Sequence, residues 1–150
     1  MSHTMSCAAL PDPTYDSAFY EGVVPKRLFA WMIDATLIFV MMLLLSLFTA
    51  GIAFLLWVPV HLGVAFLYRW STIKARSATL GMRLMNIELR GPTGARLTSA
   101  EAAVHTGSYL FAATFFVVQL ISIAMMIGRP LNRGLPDEAV GAVMLNCSAA

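Results

Sequence analysis

From Leu28 to Tyr68 the chain carries a single charged side chain, Asp34. A bilayer core ~30 Å thick takes about 20 apolar residues per helix, so the roughly 41 residues from Leu28 to Tyr68 provide two spans of near-minimal length. Composition agrees: 59% of the 150 residues are hydrophobic and 12% are charged, about half the charge of an ordinary soluble domain. Asp34 costs ~3 kcal/mol at most on the insertion scale. Each Leu, Ile, Phe or Val returns ~0.3–0.6 kcal/mol, and about a dozen of these lie between Leu28 and Phe48, so insertion wins.

These features predict an all-α membrane protein with three transmembrane helices at about 26–49, 52–68 and 106–127, following a polar tail over 1–24. The first helix starts at Pro25, where a missing N–H costs nothing. Ala50-Gly51 is the only break before the apolar pattern resumes, so the first two spans form a tight hairpin. Pro59 should kink the second arm. The third helix opens on Thr98-Ser99-Ala100-Glu101, a capping box, and its first turns, with Glu101 and His105, should lie at the headgroups.

Between the second and third spans lies a basic loop. Within it Asn86-Ile87-Glu88-Leu89-Arg90 alternates polar and apolar as a strand does. After the turn Gly91-Pro92-Thr93-Gly94, Ala95-Arg96-Leu97 could return as its hairpin partner. Pro136-Asp137-Glu138 reads as a helix start, with acids in the first turn, and Ala139 to Leu145 as a short amphipathic segment lying on the domain or the interface. Eight of the ten Lys and Arg flank the first helix or fall in this loop, which the positive-inside rule places in the cytoplasm. Three full crossings would leave the C-terminal tail outside, an answer that Arg129 and Arg133 oppose. A kinked or re-entrant third helix would bring the tail back.

Residues 1–25 have no basic start followed by an apolar core, so a signal peptide is not expected. They read as a mobile cytosolic tail, with Phe19 and Tyr20 at the interface. Cys7 and Cys147 form no CxxC or Cys/His cluster, so neither a structural metal nor a disulfide framework is expected. Met32, Met41, Met42, Met125 and Met126 read as packing. Trp31, Trp57 and Trp70 read as interfacial belt residues. A net charge of +2 gives no nucleic-acid footprint. No nucleophile–base pair, phosphate loop or metal constellation points to an enzyme or a cofactor.

Arg27-Leu-Phe-Ala-Trp-Met-Ile-Asp34 resembles the first signature of the RDD family of small bacterial membrane proteins, named for one arginine and two aspartates. Ala78-Thr-Leu-Gly-Met-Arg-Leu-Met-Asn-Ile87 is similar to that family's central glycine-centred motif, and Leu135-Pro-Asp-Glu-Ala-Val-Gly141 to its third signature, which carries the second aspartate. Two positions depart from the pattern: Met82, where a lysine is common, and His105, near a common arginine. The resemblance implies a multi-pass protein of the bacterial cytoplasmic (inner) membrane. The family's function is mostly unassigned; some members are linked to sodium/proton exchange.

The candidate charge network is therefore Arg27, Asp34 and Asp137. Asp34 either pairs with Arg27 or Arg69 and fixes the hairpin, or it binds and releases a proton in the membrane. Arg27 reads as a positive-inside anchor, and Asp137 as a helix-start residue that can meet Arg27 only if both lie on one side. His61 reads as a neutral side chain beside Pro59. Two functions follow. One is proton-linked small-cation transport, or an accessory to it, which needs a homo-oligomer or other membrane proteins to enclose a path. The other is a membrane-anchored interaction or assembly protein whose basic loop binds anionic lipid or a partner.

Overall fold

A computed structural model describes residues 10–147; Cys7 lies outside them. The fold is mostly helical: α1 (Val23–Phe48), α2 (Ile52–Leu55), α3 (Trp57–Arg76), α4 (Leu80–Leu84), β1 (Ile87–Arg90), α5 (Ser99–Thr114), α6 (Phe116–Gly128), α7 (Leu135–Val140) and β2 (Val143–Asn146). Helix α1 begins two residues before Pro25, which falls in its first turn. Ala30, Asp34, Ile38 and Met42 recur every fourth residue and are buried, so one stripe of α1 meets the rest of the protein. The other faces expose Leu28, Phe29, Met32, Phe39, Leu44 and Leu47. A helix apolar all round with one packed stripe suits a membrane span, and α1 has the length and composition to cross a bilayer.

The chain reverses at Ala50 and Gly51, both at positive φ (50° and 88°), a conformation that Gly51 adopts without steric cost. Pro59 does more than kink the second arm. The helix stops at Leu55 and restarts at Trp57, so Pro59 stands third in α3. There its missing N–H has no intrahelical partner to lose, and its ring escapes the clash it would make inside a continuous helix. Helix α3 then runs on to Arg76, eight residues past the predicted end of the span.

The third predicted span is two helices. Between Thr114 and Phe116 the chain bends by 118°, with Phe115 in extended geometry (φ −106°, ψ 103°). No glycine or proline marks the site. Thr114, Phe115, Phe116, Val117 and Val118 are β-branched or aromatic, the types that lose side-chain freedom in a helix. Tertiary contacts fix the bend: the Leu135 N–H donates to Ser122 Oγ on α6 at 3.0 Å, drawing α6 back toward α7. As a result the C-terminal segment sits at the Arg27 end of α1, not at the far end.

The strand at Ile87–Arg90 forms as predicted, but its partner does not. β1 pairs antiparallel with β2, Glu88 opposite Leu145 and Leu89 opposite Met144. The 95–97 segment turns away: the Leu97 N–H donates to Ser77 Oγ at 2.8 Å. The predicted amphipathic segment over 139–145 is thus the end of α7, a left-handed turn at Gly141 (φ 65°) and a strand with all four residues buried. Alternation reveals a strand, but a strand 56 positions away in sequence wins because Val143, Met144 and Leu145 carry far more apolar surface than Ala95-Arg96-Leu97.

The described part of the N-terminal tail is docked, not free. Tyr20 packs on Val143 and Leu145, and its hydroxyl donates to the Pro11 carbonyl at 2.7 Å. The Asn146 amide donates to the Ala18 and Glu21 carbonyls at 3.0 and 2.7 Å and accepts from Lys26 Nζ at 2.7 Å. In a background without the native cysteines, Glu88→Cys with Leu145→Cys should form a disulfide on oxidation. Glu88→Cys with Leu97→Cys, the pair that a hairpin turning at Gly91–Gly94 would oppose, should not, and the reverse result would restore the local hairpin.

Candidate functional site

Two buried carboxylates, Asp34 on α1 and Asp137 on α7, organise the Arg27 end of the molecule. Asp34 is 1% exposed. Its Oδ1 accepts from the Tyr68 hydroxyl at 2.6 Å and the Gly81 N–H at 2.9 Å. Its Oδ2 accepts from the Thr79 hydroxyl at 2.6 Å. Arg69 stands further off, at 3.8 Å, with its guanidinium 4.0 Å over the Tyr109 ring. Hydrogen bonds to a charged group contribute ~1.5–3 kcal/mol each, so the three close donors outweigh the distant cation in fixing Asp34. Of the two predicted partners, Arg69 is near and Arg27 is not.

These donors come from three places in sequence. Tyr68 is on α3. Thr79 caps α4, accepting from the Met82 N–H at 3.2 Å while donating to Asp34. Gly81 lies in the first turn of α4, whose backbone rests on α1. A Cβ at Gly81 would stand 2.2 Å from the Ala30 carbonyl oxygen and 2.9 Å from Asp34 Oδ1. The glycine of the central motif is thus there for close approach, and Asp34 joins α1, α3 and α4 at one point.

Asp137, fully buried, is the second junction. Its Oδ2 accepts from Arg27 Nη1 at 2.7 Å and from the Gly134 N–H at 2.9 Å. Its Oδ1 lies 3.0 Å from His105 Nε2. Arg27 also donates to the Asn132 carbonyl at 3.3 Å. Asp137 therefore serves as the helix-start residue of α7 and as the tie between α1, α5 and α7. Burial alone would push its carboxyl up; the Arg27 guanidinium and the His105 ring reverse that and hold it well below the usual carboxylate range.

The structure therefore divides the three candidates. Arg27 and Asp137 meet directly, and Asp34 heads its own cluster. His105, expected at the headgroups, is 3% exposed and within the Asp137 cluster. Its departure from the family pattern was the only signal. The register of an antiparallel hairpin turning near residue 50 brings Tyr68 near Asp34, whereas Thr79 and Gly81 carry no signal as donors, since any hydroxyl or backbone N–H can fill that role. Three buried polar atoms have no hydrogen-bond partner among the described residues: His105 Nδ1, Thr106 Oγ1 and His61 Nδ1. The His61 ring stacks on Trp57, centroids 6.1 Å apart. Among the described residues no group of three His, Cys, Asp or Glu side chains is placed to hold a metal.

An apolar helix of bilayer length, a small sheet and two buried carboxylate junctions at one end define a small integral membrane protein. The sequence pattern of the RDD family matches residues 22–141, a stretch that contains Arg27, Asp34 and Asp137, and the chain belongs to that family. No curated protein and no solved structure matches it.

Gly81→Ala should lower stability by ~1–3 kcal/mol, as overpacking does, read as a fall in melting temperature in detergent. No change would mean that α4 does not rest on α1. Asp137 ionises more easily folded than unfolded, so its contribution is complete above about pH 4, its unfolded value, and is lost as pH falls through the folded value. The advantage of the unchanged protein over Asp137→Asn should therefore shrink on acidification below about pH 4. An advantage independent of pH would contradict the assignment.

Proposed function

We propose that the chain is a bacterial inner-membrane protein that crosses the bilayer twice, with α1 and with α2–α3, and enters it a third time as the bent pair α5–α6. Both ends and the basic loop then face the cytoplasm. Support comes from the Arg27–Asp137 and Lys26–Asn146 contacts, which tie the C-terminal segment to the start of α1. With that tie Arg129 and Arg133 join the other eight basic residues at one end, satisfying the positive-inside rule that three full crossings would break.

Within this topology the chain acts as a membrane-anchored interaction protein whose basic cytoplasmic face engages anionic lipid or an acidic partner. The observation that carries this reading is the state of Asp34. It is buried and already holds three donors within 2.9 Å, so its chemistry serves to hold helices together. Arg90 is tied to Glu88, whereas Arg76, Arg83 and Arg96 are exposed and form no ion pair among the described residues. Proton-linked cation exchange is the second reading. The buried contact between His105 and Asp137 favours it, because a titratable ring beside a carboxylate can couple a proton to a conformational change. It requires a homo-oligomer, since two crossings and a re-entrant pair enclose no path.

Proteoliposomes separate the two. The interaction reading predicts no proton-linked sodium flux, and loss of anionic-vesicle or partner binding when Arg76, Arg83 and Arg96 are neutralised. Flux by the unchanged protein that disappears in a folded, inserted Asp34→Asn variant would establish transport instead. Topology is tested at Cys147, which is exposed. Burial pushes its thiol up, so labelling is run at mildly alkaline pH. In a Cys7→Ser background, an impermeant maleimide should label it in permeabilised cells and not in intact ones; labelling in intact cells would put the tail outside.

A further inference from the structure

We propose that a groove on the outer flank of α1, beneath the α4–β1 turn, binds one acyl chain of an anionic phospholipid whose headgroup is held by Arg76 and Arg83. The groove has a volume of about 410 Å³ and is lined by Phe29, Met32, Ile33, Thr36 and Leu37 of α1 and by Met85. Its one hydroxyl is already used: Thr36 donates to the Met32 carbonyl at 2.9 Å, which leaves an apolar slot. From Phe29 to Leu37 it follows α1 for ~12 Å, the direction in which acyl chains lie beside a spanning helix.

The charge next to Met85 in sequence selects the headgroup. Arg83, in the last turn of α4 and two residues before the groove-lining Met85, and Arg76, at the end of α3, are exposed, and no carboxylate lies within 4 Å of either among the described residues. The nearby alternatives are engaged: Lys74 lies over Trp70 and Glu88 holds Arg90. On α4 itself Leu80 and Leu84, 40% and 66% exposed, stand four residues apart on one face. This sets α4 at the boundary between headgroup and chain. Two unpaired guanidiniums on α4 and at the end of α3, together with an apolar slot that reaches Met85, match a molecule with a negative head and an aliphatic tail. A zwitterionic lipid would bring its own cation against them.

The proposal rests on the reading that the basic face meets anionic lipid, and the test keeps the two apart. The purified full-length chain is equilibrated with vesicles of equal phosphatidylglycerol and phosphatidylcholine, and the retained lipid is counted by native mass spectrometry. Phosphatidylglycerol should be retained in preference. Arg76→Gln with Arg83→Gln should reduce that retention by about 30-fold, the matching lysine pair should preserve most of it, and Thr36→Phe, which fills the groove, should abolish it. If Thr36→Phe fails to fold, Met85→Trp closes the slot from the other wall. Loss on removing the arginines with no effect of filling the groove would overturn the site while leaving the basic-face reading intact. Equal retention of both lipids, unaffected by either change, would overturn both.

Discussion

An ionised carboxylate taken out of water must be paired or hydrogen-bonded, and the cost of leaving it unpaired rises further next to lipid. Asp34 and Asp137 impose that requirement twice at one end of this molecule. Satisfying Asp34 fixes α3 and α4 on α1 through Tyr68, Thr79 and Gly81. Satisfying Asp137 fixes α5 and α7 on α1 through His105 and Arg27. Few apolar contacts could do this. Lipid tails solvate Leu and Phe as well as another helix would, so apolar burial does not drive helices together in a bilayer as it does in water.

The same requirement accounts for the division of the molecule. At the Arg27 end lie both carboxylates, the β1–β2 sheet and the cluster of Val23, Ile73, Ile87, Leu89, Leu97 and Met144, a core like that of a small soluble domain. At the far end lie the α1–α2 turn and the α5–α6 bend, with Phe48, Leu55, Phe116 and Val117 between 67% and 84% exposed. Packing and polar chemistry are concentrated at the Arg27 end, and the remainder is largely exposed apolar surface. The bend frees backbone groups within the apolar zone, a condition tolerated where protein or water covers them.

Local features of this fold are legible in the sequence and long-range partners are not, for a physical reason. The apolar run, the reversal at Ala50-Gly51, the Thr98 cap and the helix start at Pro136 each depend on a few adjacent residues. The partner of β1 lay more than fifty residues away, and nothing in Asn86-Ile-Glu-Leu-Arg90 specifies β2 over 95–97. The break at Phe115 carried no glycine or proline, because the contact at Ser122 enforces it. At the candidate site, Arg27, Asp34 and Asp137 stood out because charge is rare here. Their division into two clusters did not, since it depends on the path that the bent α5–α6 pair takes. Once that path is known, His105 moves from the headgroups to the side of Asp137.

The central claim is that Arg27 and Asp137 are joined across the fold. The most direct test is a double-mutant cycle with Arg27→Met and Asp137→Leu, read as unfolding free energy in detergent. Each single change strands a buried charge and should cost ~3–5 kcal/mol, whereas the double change leaves none stranded and should cost far less than the sum. A coupling of about 1–3 kcal/mol is the predicted result. Additivity within about 0.5 kcal/mol would mean that the two residues do not meet, and the return of the C-terminal segment to the start of α1 would have to be abandoned.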